Sequence, residues 1–412
     1  ATVRRRSSSA IMRCCLKTGI LIDADIKENV LYDASCYEKI YDNKLVLTIL
    51  PTGKCNFNCA YCFESEQSFY KKSMSIEAQD AIVKFVQKQI KEMKSFQVCW
   101  FGGEPLMEPT IIKNLSEKFI EICNTNFVPY FAQITTNGYC LDAKMFDMLY
   151  DLKVYTYMVT VDGFKDQHDR LRVTHNGKGT YDKIMENLLR IREAKHYKFA
   201  RIIIRINITK SFLDVLDDFI NYLDQLFSDD PRFSFIFVPA ENYSKSEYSS
   251  EDIYINGSEV SMRLLENEVY AKKIRSNMQK LQLIQPGGGC VSSFKNSYTI
   301  IPNLKIYKCC AHCDIKENEI GEIDLNGNLL INESFHSRWY FVDRYVRDYP
   351  EKCKACFYLP ACSITGRSCP FKQFKDKKES FTCPLNSKQF RNALEDVILY
   401  ATTKYPCTNI TF

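Results

Sequence analysis

No run of eighteen apolar residues occurs anywhere in the 412-residue chain, so no membrane-spanning helix is predicted. Charge of one sign is also scarce. Against 55 Lys and Arg stand 50 Asp and Glu, a formal charge of +5, and so small a surplus is not the basic footprint of a nucleic-acid-binding surface. The one dense basic run, Arg4 to Arg6 followed by Ser7 to Ser9, reads as a tag remnant or an unordered start. Histidine is rare, five in all. None stands in an H-E-x-x-H arrangement, and His168, His175 and His196 lie among charged residues, where solvated side chains are expected.

Cysteine, by contrast, is abundant at 19 residues. Secreted disulfide proteins are usually small, no signal peptide is visible, and these cysteines fall in tight clusters. The pattern therefore favours metal binding in the cytoplasm over a disulfide framework. Cys14, Cys15 and Cys36 lack partner spacing and read as buried free thiols. Hydrophobic content of 45% with 25% charge is enough to bury a full core.

The organising stretch is Leu45 to Glu64, LVLTILPTGKCNFNCAYCFE. Cys55, Cys59 and Cys62 follow an apolar run in a C-x3-C-x2-C spacing. Closely spaced thiolates of this kind hold iron–sulfur clusters, and three ligands leave one iron open, as a catalytic zinc site leaves one position open. Thiolates at this spacing also hold zinc, so both readings stand on spacing alone. Phe57, Tyr61 and Phe63 would shield such a centre from water.

From Leu45 to Pro239, short β-branched or aromatic runs alternate with longer amphipathic stretches. Strands are expected near 45–50, 96–101, 130–136, 154–161, 201–208 and 233–238. Helices are expected between them, as at 75–94, where Ala81, Ile82, Phe85, Val86 and Ile90 share one face. Six such alternations predict a parallel sheet, open or closed. The loops after the strands carry the chemistry. In Phe101-Gly-Gly-Glu-Pro-Leu106, Gly102 and Gly103 let backbone approach a ligand and Glu104 can accept from an amine. The expected partition is an extension at 1–44, the α/β body at 45–240, a linker and helix at 241–289 broken by Pro286-Gly-Gly-Gly289, a cysteine-rich domain at 290–390, and a helix and tail at 391–412.

The cysteine motif, with an aromatic Tyr61 before Cys62, resembles that of the radical S-adenosylmethionine (SAM) superfamily. The resemblance implies a partial (β/α)6 barrel, a [4Fe-4S] cluster on Cys55, Cys59 and Cys62, and reductive cleavage of SAM to a 5′-deoxyadenosyl radical. It makes Gly102, Gly103, Glu104 and Pro105 the motif that holds the SAM amino group. Thr136 and Asn137 become polar contacts to SAM, Thr160 and Asp162 stand in the loop after the fourth strand, Arg172 faces the SAM carboxylate, and Asn207 reaches the ribose.

Downstream, Cys353-x2-Cys356-x5-Cys362 followed by Cys369 and Cys383 resembles the SPASM extension of radical SAM peptide-modifying enzymes, which carries two auxiliary [4Fe-4S] clusters. Position by position, Cys353, Cys356, Cys362 and Cys383 would ligate the outer cluster, and Cys290, Cys309 and Cys369 the inner one. The chain departs from the pattern in the longer gap between Cys362 and Cys369, in Leu304 where a glycine is customary, and in the extra Cys310 and Cys313. Either extra thiolate would close the inner cluster, unless the pair holds zinc or merely packs; His312 is a further candidate ligand. Sulfatase maturases usually carry aspartate where Cys310 stands, with Asp314 nearby here.

The layout is most similar to sactipeptide and ranthipeptide maturases. That implies thioether crosslinking of a cysteine-containing, ribosomally synthesised precursor peptide, with an external reductant such as flavodoxin or ferredoxin and neither nucleic acid nor membrane as partner. Carbon–carbon crosslinking, epimerisation and formylglycine formation are the alternatives, and a non-catalytic iron–sulfur or zinc scaffold is a second. The forty-odd residues before the first strand are short for a leader-binding winged-helix domain, which is expected to be truncated or supplied elsewhere.

Overall fold

In a computed structural model, the protein is described at residues 42–64, 67, 69, 71–240, 253–255, 260, 263, 264, 267, 290–313 and 315–340. The expected features at 1–41, most of the linker at 241–289, and Cys353, Cys356, Cys362, Cys369 and Cys383 lie outside the described residues. The chain divides into two compact units. One comprises Asn43–Ile274 and Asn296–Arg338; the other comprises Ala1–Asp42, Arg275–Lys295 and Trp339–Phe412.

The first unit is built on one ten-stranded sheet. Its strands are β1 (Lys44–Ile49), β3 (Ser95–Trp100), β4 (Tyr130–Thr136), β5 (Val154–Thr160), β7 (Arg201–Ile208), β8 (Phe233–Pro239), β9 (Ser297–Ile300), β10 (Lys305–Tyr307), β11 (Glu319–Ile323) and β12 (Leu329–Ile331). The order is β12-β11-β10-β9-β1-β3-β4-β5-β7-β8. Every pair from β9 to β8 is parallel, whereas β9-β10, β10-β11 and β11-β12 are antiparallel. The order is linear, which answers the question periodicity left open: the sheet is not a closed ring. All six expected strands are present, each within a residue or so of its expected ends.

Leu45, Val46, Leu47 and Ile49 of β1 are all buried, as expected of a parallel strand covered on both faces. Helices cover the sheet: α1 (Ile76–Gln89), α2 (Pro109–Thr125), α3 (Ala143–Asp151), α4 (Lys165–Leu171), α5 (Tyr181–Glu193) and α6 (Leu216–Phe227). The Ser75 hydroxyl caps α1 by accepting from Ala78 N at 3.2 Å, and Ala81, Ile82, Phe85 and Val86 are buried as their spacing predicts. The helix expected to run to Lys94 ends earlier, tightening into a short 3-10 turn at Ile90–Glu92.

Within the stretch expected as a cysteine-rich domain, 290–390, β9 lies against β1 in the main sheet, with Val46 opposite Ser297. Among the described residues no helix is long and apolar enough to cross a membrane.

Candidate functional site

The loops after β1, β3, β4 and β5, together with the end of β7, gather the residues singled out by sequence, at the carboxyl ends of parallel strands where α/β folds build their sites. The cysteine loop is held by a short two-stranded sheet. Its strand β2 (Phe57–Cys59) pairs antiparallel with β6 (Arg172–Thr174), placing Cys59 opposite Arg172. Ala60 N donates to Leu171 O at 2.9 Å. Cys55 Sγ accepts from Phe57 N at 3.4 Å, and Asn137 Nδ2 donates to Asn56 Oδ1 at 2.7 Å.

Gly102 and Gly103 were expected to bring backbone close to a ligand. In the structure they bring it close to the cysteine loop. A Cβ on Gly102, whose φ is +112°, would lie 2.5 Å from Thr52 O, and one on Gly103 would lie 2.4 Å from Lys54 O. Gly103 N and Glu104 N then donate to Thr52 O (3.2 Å) and Lys54 O (2.8 Å). Pro105 opens a 3-10 turn capped by the Glu104 side chain. Glu104 is fully buried; its Oε1 accepts from Thr136 Oγ1 (2.7 Å) and Leu106 N (3.0 Å), and its Oε2 from Asn137 N (2.7 Å). A carboxylate can accept about four bonds, so one position on Oε2 remains for an incoming donor. Burial raises its pKa despite these donors, which suits a site completed by a cation.

A second buried group centres on Asp162. Tyr61 OH donates to Asp162, and Asn207 contributes its backbone N–H at 2.8 Å and Nδ2 at 3.2 Å. Arg172 Nη1 donates to Tyr61 OH at 2.7 Å and lies 3.7 Å from Asp162 Oδ2. Arg172 Nε is buried without a partner, an orphan donor of the kind a bound carboxylate satisfies. Thr160 is buried at the end of β5.

Sequence reasoning missed His168, placed among solvated residues because its neighbours are charged. It is completely buried. Asp162 N donates to its Nδ1 at 3.1 Å, so the proton sits on Nε2, 3.0 Å from Thr180 Oγ1, which donates to Arg172 O at 2.7 Å. The ring thus ties the loop after β5 to β6. The available signal was its place six residues after Asp162, in the helix that follows that loop. Burial, then Arg172, pushes its pKa down to about 3. A His that must stay neutral contributes stability that is full above the unfolded value near 6.5 and is lost as pH falls from there toward about 3. We expect His168→Ala to flatten the acid limb of a thermal-melt series between pH 7 and 4 and to destabilise by about 2–4 kcal/mol, since two buried groups lose their partners; an unchanged limb would contradict it.

Burial pushes the Cys55 and Cys59 thiols up, and the Glu104 charge adds to it. Among the described residues no three Cys, His, Asp or Glu side chains already converge in ligating geometry, so the test of fit is donor chemistry. None of Cys55, Cys59 and Cys62 is in a disulfide, and in this half-buried loop Cys55 and Cys59 are opposed as anions by burial and by nearby carboxylates. A cationic iron or zinc centre offsets that opposition, and the trio fits one. Glu64, just beyond Cys62, is also buried, its carboxyl pushed up to about 8 by burial and by Glu104.

Of the downstream cysteines, Cys310 and Cys313 join an apolar cluster with Leu50, Phe69, Ile301, Tyr307 and Phe101. Cys313 Sγ donates to Cys309 O at 3.5 Å. Leu304 has a left-handed backbone, with φ +68°, a conformation glycine adopts at no steric cost. In the other unit, Cys290 is followed by a 3-10 turn, and Ser292 Oγ donates to its Sγ at 3.1 Å.

The stretch that builds this site, residues 49–219 at the mouth of a mostly parallel open sheet, matches the family model of the Radical SAM superfamily, a family that implies a [4Fe-4S] cluster and SAM. Over 339 residues the chain is 25% identical to the cysteine-type anaerobic sulfatase-maturating enzyme of Clostridium novyi, covering 76% of this chain and 84% of that enzyme. Over 150 residues it is 28% identical to the serine-type enzyme of Bacteroides thetaiotaomicron, covering 35% of this chain and 36% of that one. Among solved structures it is similar to native anSMEcpe with bound AdoMet and Cp18Cys peptide, with TM-score 0.61, 17% identity, and coverage of 89% of this chain and all of that one.

Proposed function

We propose that the chain is a radical SAM peptide maturase that joins a cysteine sulfur of a ribosomally made precursor to a backbone or side-chain carbon as a thioether. The observation that carries the SAM part is the convergence of the cysteine loop, the buried Glu104 with its unfilled acceptor position, and the orphan donor of Arg172. Cys55, Cys59 and Cys62 would hold the cluster, which supplies the electron that cleaves SAM to a hydrogen-abstracting radical. Glu104 would receive the SAM ammonium, Arg172 its carboxylate, and Asn207 the ribose. Gly102, Gly103, Pro105, Thr136, Asn137 and Thr160 would shape the walls, and Asp162 would keep Tyr61 and Arg172 aligned. Cys353, Cys356, Cys362 and Cys383 would ligate one auxiliary cluster, and Cys290, Cys309 and Cys369 another, with Cys310 or Cys313 completing it. The thioether reading is supported by Cys310, a thiol packed against apolar side chains where sulfatase maturases usually carry aspartate.

Oxidation of a cysteine or serine to formylglycine is the second reading. It is favoured by the similarity to sulfatase-maturating enzymes and by Glu64, a carboxylate within electrostatic range of Cys310. Anaerobic incubation of the reconstituted enzyme, SAM and a reductant with a library of short cysteine-containing peptides separates the two. The thioether reading expects loss of two hydrogens and of iodoacetamide-reactive thiol. A carbonyl captured by a hydrazide probe would establish formylglycine instead. The protein should carry about twelve iron, roughly four per cluster.

A further inference from the structure

Directly after the third cysteine of the motif, the chain makes a turn that buries two polar side chains and gives neither a complete set of partners. Glu64 is 6% exposed and Gln67 8%. Glu64 Oε1 and Gln67 Oε1 are both buried without a hydrogen-bond partner. Gln67 N donates to Glu64 O at 3.2 Å, so the two side chains stem from one turn. That turn is anchored. Phe69 is buried in the apolar cluster with Leu50, Ile301, Tyr307 and Cys313, and Lys72 N donates to its carbonyl at 2.9 Å. A Cβ on Gly53 would meet that carbonyl at 2.3 Å.

The place of the turn matters as much as its satisfaction. Glu64 lies within electrostatic range of Glu104 on the SAM side and of Cys310 on the other. Both neighbours are acidic groups. Two described cations beside the cysteine loop are engaged elsewhere: Lys54 pairs with Glu108 at 2.9 Å, and Arg172 donates to Tyr61. A buried carboxylate beside another acid and without a donor is costly unless something completes it. A guanidinium or ammonium brings several donors and the missing charge together.

We propose that Glu64 and Gln67 form the docking site for a basic side chain, lysine or arginine, of the peptide substrate, so that the residue to be modified is registered against the SAM pocket by a salt bridge at fixed spacing. The inference rests on the reading of the chain as a peptide maturase. In it Glu64 supplies the charge and Gln67 a second acceptor, while Phe69 fixes both. The principal rival occupant is the SAM ammonium itself.

The test uses the reconstituted holoenzyme with SAM and a displayed library of random peptides, each carrying one fixed cysteine. Wild type should enrich lysine or arginine at a constant distance from that cysteine by about tenfold or more over the input, the scale of one charge-assisted hydrogen-bonded contact. Glu64→Gln, isosteric with the parent, should lose the preference while iron content and SAM affinity stay within about twofold, and Gln67→Met should weaken it. A wild-type pool without basic enrichment, or a Glu64→Gln pool that keeps it, would overturn the proposal. So would a Glu64→Gln variant whose main loss is SAM affinity, which would assign the carboxylate to the cofactor. SAM cleavage by wild type is measured in parallel. Its absence would bring down the parent reading and this one with it, whereas cleavage without a basic preference would bring down this one alone.

Discussion

Replacing Cys55, Cys59 and Cys62 together by alanine is expected to reduce 5′-deoxyadenosine formation to background and to remove about four of the iron atoms the protein carries. The fold should survive, because β2 is held to β6 through backbone pairs from Phe57–Thr174 to Cys59–Arg172, and those do not depend on the thiols. A far-ultraviolet spectrum and melting point close to wild type, with SAM turnover gone, is the predicted combination. Persistent turnover in the triple variant would remove the basis for every assignment at this site.

The second large effect is expected at a residue with no side chain. Gly103→Ala would put a methyl group 2.4 Å from Lys54 O and 2.7 Å from Gly53 O, both backbone atoms that cannot swing aside. The loop must shift, and the shift reaches Cys55 one residue later. Overpacking of this kind costs about 1–3 kcal/mol, and we expect iron content and SAM turnover to fall further than stability does, because ligand geometry tolerates less displacement than a fold. Gly177→Ala is the control. Gly177 also has a positive φ, +73°, but its Cβ would meet nothing within 4 Å; only backbone strain of about 1 kcal/mol is at stake there, and iron content should be unchanged. Equal loss of iron in the two variants would show that the glycine-to-cysteine-loop contact is not what positions the thiols.

How much of this was readable beforehand divides along physical lines. The six parallel strands announce themselves because each is a short β-branched or aromatic run between polar loops, and the start of α1 is marked by Ser75 with an apolar face behind it. The motif residues came together because they occupy equivalent loops at one end of one sheet. What the sequence hid was non-local. The pairing of β9 with β1 joins residues about 250 apart, and no window of sequence contains both. His168 was misplaced because α4, the short helix it belongs to, is polar but for Leu171, and only the fold brings its ring under the Asp162 backbone. Leu304 stands where the pattern customarily has glycine, and only the fold shows that its backbone is left-handed. Gly102 and Gly103 admit a close backbone approach, and the partner their bareness admits is the cysteine loop.

The placement of β9 has a consequence for how the polypeptide matures during synthesis. The strand that feeds the cysteine loop, β1, leaves the ribosome long before β9, which among the described residues is the partner on its flank opposite β3. Until residues near 300 emerge, the nascent chain displays β1 as a bare sheet edge, its apolar Leu45, Val46, Leu47 and Ile49 incompletely sheltered, which is the template on which chains adhere to one another. Translation pauses or chaperone capture after β8 would therefore bear directly on yield, and metal loading of the loop that β1 carries would follow, not precede, the arrival of its late-made neighbour.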